Sequence, residues 1–381
     1  MTQNTAPYGT WNSPLSAHDV AQASVRITGF SVTDQSVFWG ERRPSEGGRT
    51  AIVEWHNGER VERLPQPWNA RTRVHEYGGG AFIGQDRTLY FSNFDGGQVY
   101  AQAPGEEPLA LTPTVIGPRV GYADFKYDAR HQRLLAIEEE HQANTEPVAR
   151  VVSISLAPLA GGEPEITVLA TGEDFYSSPR LSPAGDRMAW LSWSHPNMPW
   201  DGTLLWVAGI DEHGQVGPAR HVTGSNTESI FQPDFDAAGN LIFATDRSDW
   251  WNLHRISVEV LAAEGSASET IAPAPAEFGM PQWGFGMSSW AEALPGQLVS
   301  AYTQDGLWKL GRIRAGEIVD FEVPYSNIDA VQTDGSGRVF FLAGNAERGS
   351  ELVAMAIDEP GSLTILNETK TAPIGANFVA H

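Results

Sequence analysis

The sequence contains no cysteine among its 381 residues, which excludes disulfide bonds, thiolate metal ligands and a cysteine nucleophile. No stretch approaches the roughly 18 consecutive apolar residues of a membrane-spanning helix. The N-terminus has neither the basic start nor the continuous apolar segment of a secretory signal. Basic residues are scarce, with 25 Lys and Arg against 47 Asp and Glu. Because this excess of negative charge repels phosphate backbones and anionic lipids, we predict a cytoplasmic protein that binds neither nucleic acid nor membrane.

The common catalytic motifs are also missing. A hydrolase of the α/β type carries its serine nucleophile in G-x-S-x-G, because only glycines fit around that strained turn, and the pentapeptide does not occur here. DGSGR at 334–338 has a different spacing, and we interpret it as a hairpin turn. The sequence has no H-E-x-x-H, no P-loop and no dinucleotide fingerprint, and its histidines show no pair at metal-ligand spacing. We therefore assign no catalytic residue, metal or cofactor to this chain.

Short β-strand patterns dominate what is present, and helical periodicity is scarce. A repeated unit consists of an apolar strand, a turn of Asp, Gly or Asn, and further strands. SSPRLSPAGDRMAWLSW at 177–193 and IFQPDFDAAGNLIFATD at 230–246 show this unit most clearly. Related units begin near residues 30, 80, 123, 283 and 328. Seven units about 50 residues apart indicate propeller blades of four strands each.

A single blade cannot bury both of its faces, so the blades must stack around an axis. Two β-sandwiches or a β-helix are alternatives, but sandwiches do not repeat one turn chemistry and a β-helix has a shorter period. We predict an all-β fold, a seven-bladed β-propeller over residues 30–366. Residues 1–29 are predicted to be a short helical extension with Ser16 as N-cap. Residues 261–277, rich in Ala, Ser, Glu and Pro, are expected to form an exposed excursion between blades.

Two charged segments are candidates for function. Arg71, Arg73, His75 and Glu76 directly precede three consecutive glycines. The plain interpretation is a turn into a strand, and the sharper one is a polar cluster that the turn holds at a functional surface. EEEH at 138–141 follows an apolar strand. It is either an exposed loop or an anionic pocket in which Glu139 and Glu140 neutralise an ammonium group.

A third candidate is the loop WSHPNMPWDGT at 193–203, which contains two prolines, two tryptophans and an Asp-Gly turn. Such a rigid aromatic loop either plugs a neighbouring blade or lines a binding cleft. We favour the cleft, with Trp200 and Asp201 in contact with a ligand, because rigid loops with large apolar faces make good ligand walls.

Together these stretches resemble the propeller half of bacterial peptidases in the prolyl oligopeptidase family, within the branch of dipeptidyl aminopeptidases and acylaminoacyl peptidases. The resemblance is carried in order by RTRVHEYGGGAF, YADF with EEEH, DFYSSPRLSPAGDRMAWLSWSHPNMPWDGT, ATDRSDWWNLHRI and EFGMPQWGFGMSSW. It implies that the propeller covers a C-terminal α/β-hydrolase domain with Ser, Asp and His, and that it admits only short peptides. Residues 367–381 would lead into that domain and residues 1–29 would pack on it. The chain alone is then expected to be inactive.

The resemblance also implies a site near the cavity between the two domains. Carboxylates of the propeller would hold the substrate's amino terminus, with Glu139 and Glu140 as first candidates and Asp201 next. One departure is Leu204, which stands in DGTLLW where similar sequences carry an acid. It favours acyl-peptide or endopeptidase activity over strict aminopeptidase activity. The candidate substrate-binding residues are Arg71, Arg73, His75, Glu76, Glu139, Glu140, Trp200 and Asp201.

Two other classes of protein stay open at this stage. One is a stand-alone propeller that serves as an interaction scaffold, and the other is a propeller metallo-hydrolase such as a lactonase. The sequence leaves the preferred residue at the cleavage site undetermined. It also leaves open whether the chain forms homo-oligomers.

Overall fold

Seven antiparallel sheets of four strands each form the fold in the computed structural model. The structure describes residues 25–117, 119–346 and 348–367, together with residues 7, 9, 10, 16 and 17. Each sheet consists of four consecutive strands, and the first strands of neighbouring sheets contact each other around the ring. The seven-bladed propeller predicted from the repeats is therefore confirmed. The predicted helical extension and the predicted linker at 367–381 lie almost entirely outside the described residues.

The first four blades cover residues 26–224, and their strands are numbered in chain order. Blade 1 contains β1 (Arg26–Val32), β2 (Val37–Arg43), β3 (Arg49–His56) and β4 (Glu59–Glu62). Blade 2 contains β5 (Phe82–Gln85), β6 (Thr88–Ser92), β7 (Val99–Gln102) and β8 (Leu109–Ala110). Blade 3 contains β9 (Arg119–Asp128), β10 (Arg133–His141), β11 (Val148–Ser155) and β12 (Ile166–Ala170). Blade 4 contains β13 (Phe175–Leu181), β14 (Arg187–Trp193), β15 (Leu204–Gly209) and β16 (Arg220–Gly224).

The last three blades cover residues 230–365. Blade 5 contains β17 (Ile230–Phe235), β18 (Leu241–Thr245), β19 (Asn252–Ile256) and β20 (Glu269–Thr270). Blade 6 contains β21 (Trp290–Leu294), β22 (Gln297–Gln304), β23 (Leu307–Arg314) and β24 (Glu317–Asp320). Blade 7 contains β25 (Asn327–Thr333), β26 (Arg338–Gly344), β27 (Glu351–Ala356) and β28 (Glu359–Ile365). The helical elements are α1 (Val258–Ala262) and the 3₁₀ turns Pro44–Glu46 and Ala157–Ala160.

Burial within a blade explains its sequence pattern. The second strands each contain an apolar run, and every residue of β18 is buried because both faces of the strand are covered by neighbouring blades. The outermost strands are different: all four residues of β4, ERVE, are exposed. Charged side chains on such an edge oppose pairing with another chain. The position of a strand in its blade thus decides its composition.

The ring closes between blades 7 and 1 without a shared strand. The amide of Gln332 in β25 accepts a hydrogen bond from Val32 N at 3.1 Å and donates one to Phe30 O at 2.7 Å. Around this bond, Trp39 of blade 1 and Phe340 of blade 7 belong to one buried cluster. Side-chain packing and a single amide therefore join the ends of the ring.

The two faces of the ring differ in their connections. One face, here called the hairpin face, carries the turns between the first and second strands of the blades. The other, the linker face, carries the segments between blades and the loops between second and third strands. Two inter-blade linkers on this face are long, 63–81 and 271–289.

The segment 261–277 is exposed over much of its length, as predicted, but it is not only a connection between blades. It contains the end of α1 and the whole of β20, the last strand of blade 5. Ala272 and Ala276 are buried and pack in the core shared by blades 5 and 6.

Candidate functional site

The two long linkers meet at the inner part of the linker face. Phe285 N donates a hydrogen bond to Gly78 O at 2.9 Å, and Gly79 forms a parallel bridge with Phe285. Asp124 N, in the inner strand of blade 3, donates to Gly80 O at 2.9 Å. We call this contact between residues 78–80 and 284–286 the linker crossing.

The crossing explains the three consecutive glycines. Gly78, Gly79 and Gly80 have φ values of +67°, +92° and +52°, in the region that favours glycine. A Cβ atom on Gly79 would lie 2.4 Å from Phe285 O, and one on Gly78 would lie 2.4 Å from Thr72 O. Side chains are therefore excluded by both the backbone conformation and the space available. The three glycines therefore form a close backbone contact between two linkers, and not only a turn that leads into a strand.

His75 lies beside the linker crossing, and its ring and its backbone N–H contact different groups. Its ring packs edge-on against Phe175 and Trp193, with centroids 5.1 and 5.6 Å away, and lies 4.9 Å from the ring of Phe285. Burial lowers the pKa of His75 to about 3, so the imidazole is neutral near neutral pH. Its Nε2 is buried without a hydrogen-bond partner among the described residues. Its backbone N–H points the other way and donates to Glu139 Oε2 at 2.9 Å.

The EEEH segment is the end of β10 and not a loop. Because successive side chains of a strand point to opposite faces, Glu139 is separated from its two neighbours. Glu138 and Glu140 both pair with Arg150, at 2.7 and 2.9 Å. Hydrogen bonds from Arg150 and Gln142 lower the pKa of Glu140.

Glu139 itself is 4% exposed. It accepts hydrogen bonds from the backbone of His75 and from His141 Nε2, the latter at 2.6 Å. The structure therefore does not bring Glu139 and Glu140 together. Of the three glutamates in EEEH, Glu139 is the one that lines the cavity beside the HEYGGG segment.

Glu139 lines a cavity of about 450 Å³ on the linker face, here called the arginine recess. Arg71 and Arg73 both lie over the ring of Phe94, each with its guanidinium carbon 4.6 Å from the ring centroid. Arg119 contributes a third cation and contacts His141 Nε2 at 2.7 Å. Burial of Arg71 and the charges of Arg42 and Arg73 lower the pKa of Arg71. The recess therefore combines the buried carboxylate of Glu139 and the exposed carboxylate of Asp95 with several positive charges.

A second cavity, of about 110 Å³, lies on the other side of His75 and is here called the aromatic pocket. Its walls include Phe175 and Trp193, which stack at 5.5 Å, and Trp200 and Trp283, whose ring centroids are 4.4 Å apart. Tyr77 packs edge-on against Trp283 at 5.3 Å. Tyr77 and Trp283 remain 66% and 52% exposed, so large apolar surfaces face solvent at the mouth of the pocket.

Hydrogen bonds accepted by two aspartate side chains fix the loop that carries Trp200. Asp174 Oδ2 accepts from both the backbone N and Nδ1 of His195, each at 2.9 Å. These hydrogen bonds lower the pKa of Asp174. Asp201 Oδ2 accepts from Met198 N at 2.8 Å and so closes the turn before β15. Leu204 is the first residue of β15, beyond this turn.

The predicted candidates thus divide into groups. Arg71, Arg73 and Glu139 line the arginine recess, and His75 and Trp200 line the aromatic pocket. Glu76 and Asp201 are exposed, and Glu140 is engaged with Arg150. Sequence reasoning did not single out Tyr77, Phe175, Trp283 and Phe285. Trp283 and Phe285 lie in EFGMPQWGFGMSSW, and Tyr77 and Phe175 lie in two other segments that carry the family resemblance.

In the part of the chain that the structure describes, no cluster of three or more His, Asp or Glu side chains is arranged to hold a metal ion. None of the helices there has the length and apolar character needed to cross a membrane.

Solved structures place this architecture among known proteins. No family model matches the sequence, and no curated protein matches it significantly. Prolyl oligopeptidase B from Galerina marginata shares the fold, with a TM-score of 0.64 and 11% identity over 93% of this chain and 52% of that chain. A puromycin-hydrolysing peptidase of Mycobacterium tuberculosis is 32% identical over 95% of this chain and 56% of that chain, with a TM-score of 0.85. A puromycin hydrolase is 30% identical over 98% and 58%, with a TM-score of 0.86.

The fold is thus that of the seven-bladed propeller found in peptidases of the prolyl oligopeptidase type. Within that class, the chain fits the N-terminal propeller half of the family, as the resemblance predicted, and its similarity is higher to the puromycin hydrolases. The chain spans between 56% and 58% of the length of these relatives.

Proposed function

We propose that this chain is the substrate-binding and access-limiting propeller of a serine oligopeptidase. The catalytic Ser, Asp and His would belong to an α/β-hydrolase domain that follows the propeller. The observation that carries the proposal is the 30–32% identity to puromycin-hydrolysing peptidases over 95–98% of the chain. The lack of G-x-S-x-G within these residues agrees with a catalytic domain elsewhere.

The aromatic pocket suggests which substrates the complete enzyme takes. Its rings are already packed against one another, so little side-chain entropy is lost when a ligand binds. Edge-on and offset contacts with several rings favour an aromatic ligand group. We propose that the enzyme cleaves short peptides, or related aminoacyl compounds, that carry an aromatic side chain.

Glu139 is our candidate for contact with the substrate's amino terminus. A carboxylate offers about four lone-pair sites, and the two hydrogen bonds from His75 and His141 leave acceptor capacity for an ammonium group. Glu140 is the less suitable candidate because Arg150 already neutralises it. Glu139 thereby supports an aminopeptidase type, whereas Leu204 at the position of an expected acid supports an acyl-peptide preference.

The linker crossing supports an access-limiting role. At Gly79 and Phe285 the two backbones approach so closely that a Cβ atom does not fit between them. A folded protein or long polypeptide would meet this obstacle on the inner part of the linker face. The cytoplasmic location stays a prediction from sequence.

Expression of the complete polypeptide, including whatever the coding sequence adds after His381, tests the proposal. We expect this polypeptide to hydrolyse puromycin and short peptides with an aromatic residue. The 381-residue chain should be inactive against the same substrates. Hydrolysis by the chain alone, or a downstream sequence without a serine hydrolase motif, would contradict the proposal.

A further inference from the structure

Arg42, Arg71 and Arg73 lie on the linker face and form no ion pair with an acidic side chain among the described residues. They are here called the arginine cluster. Other arginines of the same blades are paired, as Arg63 is with Glu54 at 2.9 Å. Arg42 Nε is in addition buried without a hydrogen-bond partner in the described part of the chain. Donors of this kind are expensive to bury unless a ligand satisfies them.

The cluster concentrates positive charge in a strongly acidic protein. Asp and Glu outnumber Lys and Arg by 47 to 25, so the chain has more carboxylates than it needs to pair every cation. Arg26 is the cross-strand neighbour of Arg42, and its side chain therefore lies on the same face of blade 1. Like charges placed opposite each other in a sheet are destabilising. An anion bound at the cluster would remove this repulsion.

The geometry of the cluster suits a carboxylate. Contact with Phe94 fixes both Arg71 and Arg73, each 4.6 Å from the ring centroid, which limits the entropy lost on binding. A guanidinium group over a ring keeps its N–H edge available, and this edge matches the two oxygens of a carboxylate. Arg71 also lines a second cavity, of about 90 Å³, together with Arg42, so Arg71 lies between the other two cations.

We propose that the arginine cluster binds the C-terminal carboxylate of a short peptide. This assignment rests on the proposed function, because it makes the ligand a peptide substrate or product. Glu139 lies in the same recess and carries the opposite charge, so the recess as a whole matches a zwitterionic peptide. A peptide would need both ends within one cavity of about 450 Å³, which selects short ligands by length.

Calorimetric titration of the 381-residue chain tests the assignment directly. The probes are the dipeptide Phe-Ala, its C-terminal amide, and Phe-Glu amide, which carries its carboxylate in a side chain. We expect Phe-Ala to bind at least about tenfold more tightly than either amide, because charge-assisted hydrogen bonds are lost with the terminal carboxylate. The preference should disappear in Arg71→Gln and in Arg73→Gln. It should persist in part in Arg71→Lys, which keeps the charge but loses the fork.

Arg314→Gln is the matched control. Arg314 is exposed at the end of β23 on the hairpin face, and no acidic partner is found for it among the described residues. This variant should retain the full preference for the free acid. Thermal unfolding of each variant identifies any that misfolds. If Arg71→Gln misfolds, Arg71→Lys still reports the contribution of Arg71 to the preference for the free acid.

Three results would overturn the proposal. The first is equal affinity of the unaltered chain for Phe-Ala and its amide, and the second is an unchanged preference in both glutamine variants. Tight binding of Phe-Glu amide would overturn the assignment to a terminal carboxylate and give the cluster to an acidic side chain. Because calorimetry needs no hydrolysis, these outcomes are independent of whether the complete polypeptide cleaves peptides.

Discussion

The arginine recess and the aromatic pocket lie on opposite sides of one residue, His75, yet they are built in opposite ways. The recess is formed by charged side chains, several of which have no ionic partner in the described structure. The pocket is formed by rings that already contact one another. The arginine recess is therefore suited to bind a charged group, and the aromatic pocket is suited to bind an apolar ring. Both depend on the linker crossing, which fixes His75 between them.

Disruption of the crossing should have the largest effect, because it alters both sites at once. Gly79→Ala places a Cβ atom 2.4 Å from Phe285 O at a φ of +92°. Backbone strain and overpacking together should destabilise the fold by about 3 kcal/mol. Urea denaturation measures this loss.

Gly105→Ala is the control for the crossing. Gly105 also has a positive φ, +77°, but nothing lies within 4 Å of the added atom. Only conformational strain should remain, about 1 kcal/mol. Equal losses in the two variants would show that the contact with Phe285 is not restrictive.

Removal of one ring from the aromatic pocket should distinguish the contribution of this pocket from that of the arginine recess. Trp200→Ala removes the ring whose centroid lies 4.4 Å from that of Trp283. In the complete polypeptide we expect a loss of about thirtyfold in kcat/KM for substrates with an aromatic side chain, the value of a central aromatic contact. Substrates with a small side chain should be affected less. Trp250→Ala, at an exposed tryptophan without a ring contact among the described residues, should leave both rates unchanged.

Neutralisation of the recess carboxylate should have a smaller and more selective effect. Glu139→Gln should lower kcat/KM for substrates with a free amino terminus by about tenfold relative to blocked ones, since one charge-assisted hydrogen bond is weakened. Glu140→Gln is the control, because Glu140 pairs with Arg150 on the other face of the strand. An equal loss on free and blocked substrates would remove Glu139 from recognition of the amine.

The smallest effect is expected from His75 and depends on pH. Burial lowers the pKa of His75 from an ordinary value of 6.5 to about 3. The unfolded chain therefore binds the proton first, and the stability that His75 contributes is complete above pH 6.5 and is lost as the pH falls toward 3. His75→Phe should reduce the loss of stability between pH 7 and pH 5.5 by about 1 kcal/mol. An unchanged pH profile in chemical denaturation would show that His75 is accessible to protons in the fold.

The sequence was sufficient for the architecture because the propeller signals are local. The predicted unit at residue 230 coincides with the start of β17, and the unit at 177 begins two residues after the start of β13. Local strand and turn chemistry defines each blade. The unit predicted at 283 is misplaced, since β21 begins at Trp290 and Trp283 belongs to the linker before it.

The sequence predicts the site only in part, because the contacts that form the site join residues far apart in the chain. The pairing of Gly79 with Phe285 joins two linkers from opposite parts of the chain, and no pattern in either linker indicates the other. The separation of Glu139 from Glu140 was readable in principle. If EEEH is taken as a continuation of the preceding strand, alternation places the two carboxylates on opposite faces.

A crystal structure of the 381-residue chain with Phe-Ala would test the central claim most directly, namely that one face of the propeller binds a short peptide through these two adjacent sites. The account predicts the phenyl ring among Trp193, Trp200 and Trp283, and the carboxylate within hydrogen-bond distance of Arg71 or Arg73. A dipeptide bound on the hairpin face, or one whose carboxylate contacts only solvent, would contradict it.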